Sequence, residues 1–409
     1  MYEVKVHERL AEIPREDWDA LVDEEAAPFL EWTFLDALEE SGSVGPEAGW
    51  TPAHLTVRRE GRLVAAAPAY LKPDSSAEWV DDSFFWAAAL QLGLAWSPRL
   101  VLAVPHTPAT GRRLLVRAGE DRAAALRALV EGAWAFAEER GATGVHVNFC
   151  TAAEATELAA LGFVPRKALQ YHWRHRGERD FDGFLERFTS RRRKQVRKER
   201  AALEAQGVTL RVLRGAELAA TDPDGVWELY RATYDKYAET GLLTRAMFPR
   251  LVRDFSHRME LVEAWRGERR IAGAICFSSA HALYGRYWGA LEPLPFLHFN
   301  VALYRPVEEC LRRGLPHRRH RLPGLQGGAP QAHAASARGD PHRQGRSHHR
   351  PTAQRPGGLP SARGAPRHLA GAPRLHQRGP VAGGALGAKS VSGRTRPGAG
   401  HGSHRGAHP

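Results

Sequence analysis

The sequence predicts an α/β fold of the α+β type, in which two similar domains of mixed sheets flanked by helices are followed by a disordered tail. Three observations predict it. The composition changes abruptly at His317, the first 316 residues hold every Phe, Trp and Tyr, and the order of elements in residues 1–178 recurs in residues 179–316. That apolar content is enough for two cores of ~150 residues each.

Residues 317–409 differ from the rest in charge and in apolar content. They contain 15 Arg, one Lys and one Asp, a net charge of +15, so the other residues carry −3 of the whole chain's +12. They contain no Phe, Trp, Tyr, Ile, Met or Cys. Such a segment cannot bury enough apolar surface to offset its chain entropy, so we expect disorder. The basic balance belongs to this tail and does not indicate that the folded part binds nucleic acid.

The first 316 residues have the features of a cytoplasmic protein. Cys150, Cys276 and Cys310 are far apart and form neither a metal-ligand spacing nor a disulfide framework, which suits a reducing compartment. The N-terminal sequence MYEVKVHERL lacks the apolar stretch of a signal peptide. No apolar run approaches the ~20 residues of a membrane span. We therefore expect a cytoplasmic location, no membrane span and no metal.

Periodicity predicts the elements of the first domain. Alternating apolar residues indicate strands, 3.6-residue repeats indicate helices, and Glu60-Gly61 indicates a hairpin turn. The predicted strands are Tyr2–His7, His54–Arg58, Leu63–Tyr70, Leu100–Val104, Val145–Phe149 and Ala168–His175, and the predicted helices are Pro14–Val22, Phe29–Ser41, Ala123–Arg140 and Ala152–Leu161.

The second domain repeats this order. Its predicted strands are Val208–Leu213, Glu260–Trp265, Ile271–Phe277 and Ala282–Gly289, and its predicted helices are Phe181–Gln206, Val226–Thr240, Arg245–Phe255 and Phe299–Arg313. Each half therefore has a hairpin, a further strand and a loop that leads toward a helix. The boundary between the domains is predicted near Gly177–Phe181.

A series of short motifs resembles a known family. In chain order they are PFL from Pro28, EESGSVGP from Glu39, GWTP from Gly49, APAYLK from Ala67, VPHTPATG from Val104, QYHW from Gln170, SRRRKQVRKER from Ser190, YGRYWG from Tyr284 and PFLHF from Pro295. Together they resemble the FemAB-like predicted N-acyltransferases, bacterial proteins of two GNAT-like domains. The resemblance ends at about Leu315, because the strand, the Gly-, Gln-, Glu- and His-bearing motif and the helix that members have next are missing.

The resemblance implies an activity and its partners. It implies transfer of an acyl or aminoacyl group to a small amine or amino-acid-derived acceptor, with acyl-CoA lying where the sheet opens beside the fourth strand. One alternative is a Fem-type ligase that takes its group from aminoacyl-tRNA and acts on peptidoglycan precursors. Another is a binding module without catalysis. Salt-sensitive tRNA binding favours the ligase, and acyl-CoA binding favours the transferase. A stable fold that binds neither ligand favours the module.

Two loops are candidate cofactor sites. Pro295–Asn300 leaves a strand and enters a helix, where unpaired amides can hold an anion, and His298 and Asn300 lie there. The resemblance implies the CoA pyrophosphate as that anion; the plainer interpretation is that Asn300 is an N-cap and His298 a surface ring. In the other loop, Gly111 permits close backbone approach and Arg112 can pair with phosphate, although an ordinary turn explains both.

Three further groups are candidates. Arg286 and Tyr284 are expected on one face of their strand, Arg286 as a substrate clamp, although core packing explains such residues as well. His172 is a candidate general base, against a structural histidine. Charges lie around most of the 190–200 helix, so Arg193 and Arg197 are expected to contact an anion, although a solvated helix face is the common alternative.

We interpret the tail as an out-of-frame translation of the family's C-terminus. Arg, Gly, Pro, Ala, Ser and His dominate it with one Lys and no aromatic residue, as in a GC-rich gene translated in a wrong frame. Codons exist for which a one-base shift turns HRRHRLPGLQGGAPQAH, from His317, into TVDTGCQGSKEEHHKLT. The interpretation also predicts that the second domain lacks the strand beside Ala282–Gly289, is poorly stable and is inactive.

Sequencing the gene tests this interpretation. We expect a single-base insertion or deletion near the codons for Gly314–His317, with an apolar C-terminal segment in the corrected frame. A confirmed present frame, together with hydrogen-exchange protection of the tail against the second domain, would contradict it.

Overall fold

The structure, a computed structural model, describes residues 1–23, 27–167, 170, 172–237, 241–320 and 331–335. Its strands are β1 Tyr2–His7, β2 Thr51–Pro52, β3 His54–Arg59, β4 Arg62–Ala67, β5 Ala69–Lys72, β6 Arg99–Leu102, β7 Leu115–Val116, β8 Gly144–Val147, β9 Val164–Arg166, β10 His172–Arg174, β11 Val208–Arg214, β12 Met259–Arg266, β13 Arg269–Ser278, β14 Ala282–Ala290, β15 His317–His320 and β16 Gln331–Ala335.

The helices lie between and beside these strands. They are α1 Arg15–Asp19, α2 Trp32–Glu40, α3 Ser83–Gln91, α4 Arg122–Glu139, α5 Ala152–Ala160, α6 Phe181–Leu185, α7 Ser190–Glu204, α8 Gly215–Ala219, α9 Pro223–Tyr237, α10 Met247–Arg253, α11 Leu297–Phe299 and α12 Arg305–Arg313, with a π-helical turn Asn300–Tyr304 between the last two and 3₁₀ turns at Leu10–Glu12 and Pro28–Leu30. None of the helices in the described part of the chain has the length and apolar content needed to cross a lipid bilayer.

The predicted mixed α/β fold is confirmed, with differences at particular elements. The single helix expected over Phe181–Gln206 is two, because Asp180 caps α6 and Thr189 caps α7 through bonds to the amides of Gly183 and Arg192. Helix α3 was not expected. The strand predicted over 168–175 is described only at β10, since residues 168, 169 and 171 lie outside the described residues.

Two sheets form the first half. One has the order β1-β3-β4-β7 and the other β2-β5-β6-β8-β16-β9. Strands β4 and β5 follow each other with only Pro68 between them, and a proline has no N–H for the sheet ladder, so one predicted strand becomes two. Strands β6 and β8 are parallel, and α4 forms the connection between them.

One sheet forms the second half, with the order β10-β15-β14-β13-β12-β11. Strands β11 to β14 are an antiparallel meander, and β15 is parallel to β14 after the α11–α12 crossover. The sheet of each half is completed by a strand from elsewhere. Strand β10, which precedes the second half, pairs with β15, and β16 lies between β8 and β9 of the first half.

These pairings correct two expectations about the segment after Pro316. The strand beside Ala282–Gly289 is present, because β15 pairs with β14 from Ala282 to Gly285. Regular pairing also occurs within the segment, at β15 and β16. A segment with so few large apolar residues cannot form a packed core, but a sheet ladder needs only backbone N–H and C=O groups, which this sequence has. The rest of the tail lies outside the described residues.

A continuous hydrophobic core joins the two halves. The ring of Phe29, from the first half, packs edge-on against Phe277 at 5.2 Å and Tyr284 at 5.3 Å, both from the second. Ion pairs surround this contact: Arg250 with Asp36 at 2.8 Å, and Arg258 with Glu31 at 2.6 Å. The halves therefore pack as parts of one body rather than as separate domains on a linker.

Helix α9 packs unusually close to β14. A Cβ on Gly289 would lie 1.7 Å from the carbonyl oxygen of Leu229 in α9, so only glycine permits this approach. We expect Gly289→Ala to destabilise the fold by more than ~3 kcal/mol or to prevent folding.

The matched control is Gly183→Ala in α6, where the new methyl would meet nothing closer than 3.6 Å. Urea unfolding followed by circular dichroism measures both variants. Equal stability of the two variants would show that α9 and β14 are not packed as described.

Candidate active site

One edge of β14, from Arg286 to Ala290, has no partner strand among the described residues, and we call this stretch the opening. Strands β14 and β15 pair from Ala282 to Gly285, and the described part of β15 ends opposite Gly285, at His320. On its other edge β14 stays paired with β13 as far as Ala290. The chain then turns into α11. The first amides of a helix have no intrahelical partner, so they provide hydrogen-bond donors beside the opening.

The helix after the opening begins earlier than expected. Its first residue is Leu297, preceded by Phe296 in the left-handed conformation, φ 66°. Asn300 therefore does not cap the helix: it is buried one turn inside, where its Nδ2 donates to the carbonyl of Phe296 at 2.9 Å. His298 packs against the ring of Trp288 at 4.8 Å. The interpretation of Asn300 as an N-cap is wrong, and its side chain instead fixes the left-handed turn.

Arg286 lies at a β-bulge in the pairing of β13 with β14. Ile275 pairs with Tyr287 while its neighbour Cys276 pairs with Gly285, so Arg286 is the additional residue. A bulge reverses the alternation of side chains along a strand. Tyr284 and Tyr287 consequently pack into the same core, which simple alternation along the strand would not allow.

The structure brings Arg286 to the loop of the first half. Its guanidinium donates to the carbonyl of His106 and lies over the rings of Tyr287 and Phe29, at 5.1 and 6.0 Å. Tyr284 is buried with its ring against Phe29. Of the two predicted residues on β14, Arg286 is therefore the one that lies at the opening, while Tyr284 has the surroundings of a core residue.

His106 is a buried residue under tight constraint. Its φ is 54°, an uncommon conformation for a residue other than glycine. Its Nε2 lies 2.9 Å from the carbonyl of Ser43, which can only accept, so Nε2 carries the hydrogen and Nδ1 the lone pair. Burial lowers the pKa of His106 to about 4, so the ring is neutral at pH 7.

Three residues close to His106 were not predicted as site residues: Trp50, Tyr70 and Lys72. The ring of Trp50 packs against His106 at 5.6 Å and Tyr70 at 5.5 Å, and Lys72 Nζ lies 4.3 Å from the Trp50 ring centre. Lys72 is fully buried and donates to the carbonyl of Ser76 at 2.9 Å. Burial lowers its pKa. These residues belong to the GWTP and APAYLK motifs of the sequence. The motifs alone did not show that the residues lie close together in the fold.

The remaining loop residues have structural contacts. Gly111 lies against Ala27, whose Cβ would be 2.9 Å from a Cβ at Gly111. Arg112 forms an exposed ion pair with Asp23. The neighbouring Arg113 is buried and donates to the carbonyls of Asn148 at 2.9 Å and Ala109 at 2.5 Å. These contacts hold the loop in shape beside Arg286.

Comparison with known proteins identifies the family. A model of FemAB-like proteins, described as peptidoglycan biosynthesis/recognition, matches residues 9–355. The chain belongs to the FemAB-like family. The matched range includes β15 and β16 and therefore extends past Leu315, where the motif resemblance ended. No curated protein sequence matches the chain.

Several solved structures are similar to this FemAB-like chain. FemX is 13% identical over 81% of this chain and 97% of its own, with a TM-score of 0.45. L-PGS from Bacillus licheniformis is 10% identical over 73% and 90%, with a TM-score of 0.44. A tandem GNAT protein from the clavulanic acid biosynthesis pathway is 14% identical over 82% and 98%, with a TM-score of 0.39.

His172 lies away from the opening of this FemAB-like chain. It is exposed on β10, with β15 between it and β14. Its Nε2 lies 3.1 Å from Oε1 of Gln170, and Nε2 of Gln170 donates to the carbonyl of Pro108 at 2.6 Å. The role of His172 as a base stays a prediction.

The basic helix α7 has one stripe engaged by the protein and another without an acidic partner. Arg193 donates to the carbonyl of Phe188 at 2.8 Å, Arg197 pairs with Asp182 at 2.9 Å, and Arg200 with Glu308 at 2.5 Å. The last two line a cleft of about 710 Å³ between α6, α7 and α12. No carboxylate of the described residues forms an ion pair with the other stripe, which consists of the exposed Arg191, Lys194 and Lys198.

Glu78, Asp82 and His146 form a buried polar group, and the atoms of these residues that could bind a metal lie within 4.8 Å of one another. Arg99 pairs with Glu78 at 2.7 Å and with Asp82 at 2.5 Å, and Arg166 pairs with Asp82 at 2.6 Å. The guanidinium groups thus take the positions on both carboxylates that a cation would need, and the group is a buried ion-pair network.

The pKa of His106 predicts a pH dependence of stability. The folded-state pKa lies below the unfolded value near 6.5, so the unfolded chain binds a proton that the folded chain does not between about pH 6.5 and 4. Stability must then fall as pH falls through that window. We expect His106 to account for about 2 kcal/mol of the loss between pH 7 and pH 5.

Urea unfolding of the protein and of His106→Asn at both pH values measures this contribution. Asparagine tolerates the left-handed backbone, so the variant changes the titrating group without imposing backbone strain. The variant should lose about 2 kcal/mol less than the unaltered protein. Parallel losses in the two proteins would show that His106 titrates normally.

Proposed function

We propose that this FemAB-like chain transfers an acyl or aminoacyl group to a small amine or amino-acid-derived acceptor. The observation that carries the proposal is the edge of β14 at which Arg286 occupies a bulge and after which a helix begins at Leu297. The family supports a role in peptidoglycan biosynthesis or recognition.

The chemistry needs little from the protein beyond orientation and charge stabilisation. The acceptor nitrogen attacks the carbonyl carbon of the donor, the carbonyl oxygen becomes an oxyanion, and the thiolate or tRNA hydroxyl leaves while the amine loses a proton. Amides at the edge of β14 and at the start of α11 are suited to the donor and its oxyanion. Arg286, fixed by the carbonyl of His106, is suited to an anionic group on donor or acceptor.

A second candidate is a Fem-type ligase that uses aminoacyl-tRNA. The stripe Arg191, Lys194 and Lys198 supports it, because three exposed cations on one helix face match a phosphate backbone rather than the single pyrophosphate of a CoA ester.

Donor identity can be tested by thermal shift with acyl-CoA esters and with aminoacyl-tRNA, followed by amine transfer assays. We expect Arg286→Gln to lower transfer about 10- to 150-fold, because it removes a charged hydrogen bond worth ~1.5–3 kcal/mol. The control is Arg15→Gln, which removes an exposed arginine paired with Asp19 in α1.

Three outcomes separate the alternatives. An acyl-CoA response that survives Arg191→Glu, Lys194→Glu and Lys198→Glu together supports the CoA-dependent enzyme. A tRNA response that this triple variant abolishes supports the ligase. A stable protein that responds to neither donor refutes transfer and favours a binding module.

A further inference from the structure

Helix α3 and the turn after it present an apolar surface to solvent. Six large apolar side chains within eleven consecutive residues are 38% to 76% exposed: Phe84, Phe85, Trp86, Leu90, Leu92 and Leu94. We call them the α3 patch. Within the helix only Ala89 is buried. Contiguous exposed apolar surface of this kind marks an interaction site rather than ordinary surface.

The position of the α3 patch separates it from the candidate active site. Phe85 stacks on Trp96 at 6.0 Å and lies under the guanidinium of Arg166 at 3.9 Å. Arg166 belongs to β9, at the edge of the six-stranded sheet of the first half. Arg286 lies on β14, in the sheet of the second half. The patch therefore has no part in the proposed transfer reaction.

We propose that the α3 patch is the interface of a homodimer, in which the α3 helices of two copies pack across a two-fold axis. The first reason is charge. From Ser83 to Pro98 the chain carries no charged residue, so this surface can meet its own copy without placing like charges opposite each other. At its rim, Asp81 and Lys167 are exposed and of opposite sign, which suits a self-complementary contact.

The area of the patch is the second reason. Fully exposed large side chains present about 150–250 Å² each, so the six residues together expose roughly 500–900 Å². A stable interface buries about 800 Å² on each partner. The aromatic content also fits, since Phe and Trp are enriched at the centres of interfaces.

A lipid surface fits less well. Interfacial helices that bind membranes carry Lys and Arg on a polar face, and α3 has no charged residue and no polar face. A copy of the same chain is the partner that this composition favours.

Sedimentation equilibrium of the full chain tests the proposal. We expect twice the 45.2 kDa chain mass at micromolar concentration. Phe84→Glu with Leu90→Glu should shift the protein to monomer and raise the dissociation constant at least about 100-fold, because each copy would bury charges. The matched control is Leu291→Glu, an exposed leucine outside the patch, which should leave the dimer intact.

Circular dichroism and thermal melting check that the double variant is folded, and crosslinking through Leu92→Cys supplies a second readout. In the proposed dimer this cysteine should form an intermolecular disulfide under mild oxidation, whereas Leu291→Cys should not. A monomeric unaltered chain, or a dimer that persists in the folded double variant, would overturn the proposal. So would a monomer that binds phosphatidylcholine or phosphatidylglycerol vesicles through the patch.

Discussion

The contact of Phe29 with Phe277 and Tyr284 is the constraint on which the rest of the molecule depends. The sheets of each half have edges and an apolar face that the half cannot cover by itself. The shared core covers an apolar face of each half and fixes how the two halves pack together. Strands β10 and β16, each paired in the sheet of the other half, add a backbone connection that simple docking of finished domains would not have.

The position of Arg286 follows from this arrangement. The core takes Tyr284 and Tyr287 onto the same side, and only a bulge at Arg286 makes that possible in a strand of period two. The bulge frees Arg286 from the core and directs it to the carbonyl of His106 in the first half. His106 is in turn held by Ser43. Packing between the halves thus determines which side chain lies at the site.

The sequence predicted much of the fold because local signals agreed with it. Both hairpins, the long helix α4 and the strand that carries Arg286 were visible as periodicity and glycine placement. The site was less predictable. Alternation along β14 did not predict that Tyr284 and Tyr287 pack into the same core, because a single additional residue in a ladder cannot be recognised from the sequence. Lys72, Trp50 and His106 lie far apart in the chain, and only the tertiary fold brings them together. Arg193 and Arg197 were preferred over Lys194 and Lys198, although acids and carbonyls from neighbouring elements decide which cations stay available.

The segment after Pro316 cannot form a packed core, yet its backbone forms strands. Its composition excludes a packed core, because chain entropy must be offset by apolar burial. Its backbone can still complete a ladder wherever a neighbouring strand offers an unpaired edge, as β14 and β8 do. Pairing of this kind satisfies backbone N–H and C=O groups without requiring apolar side chains, so composition can exclude a packed core without excluding a strand.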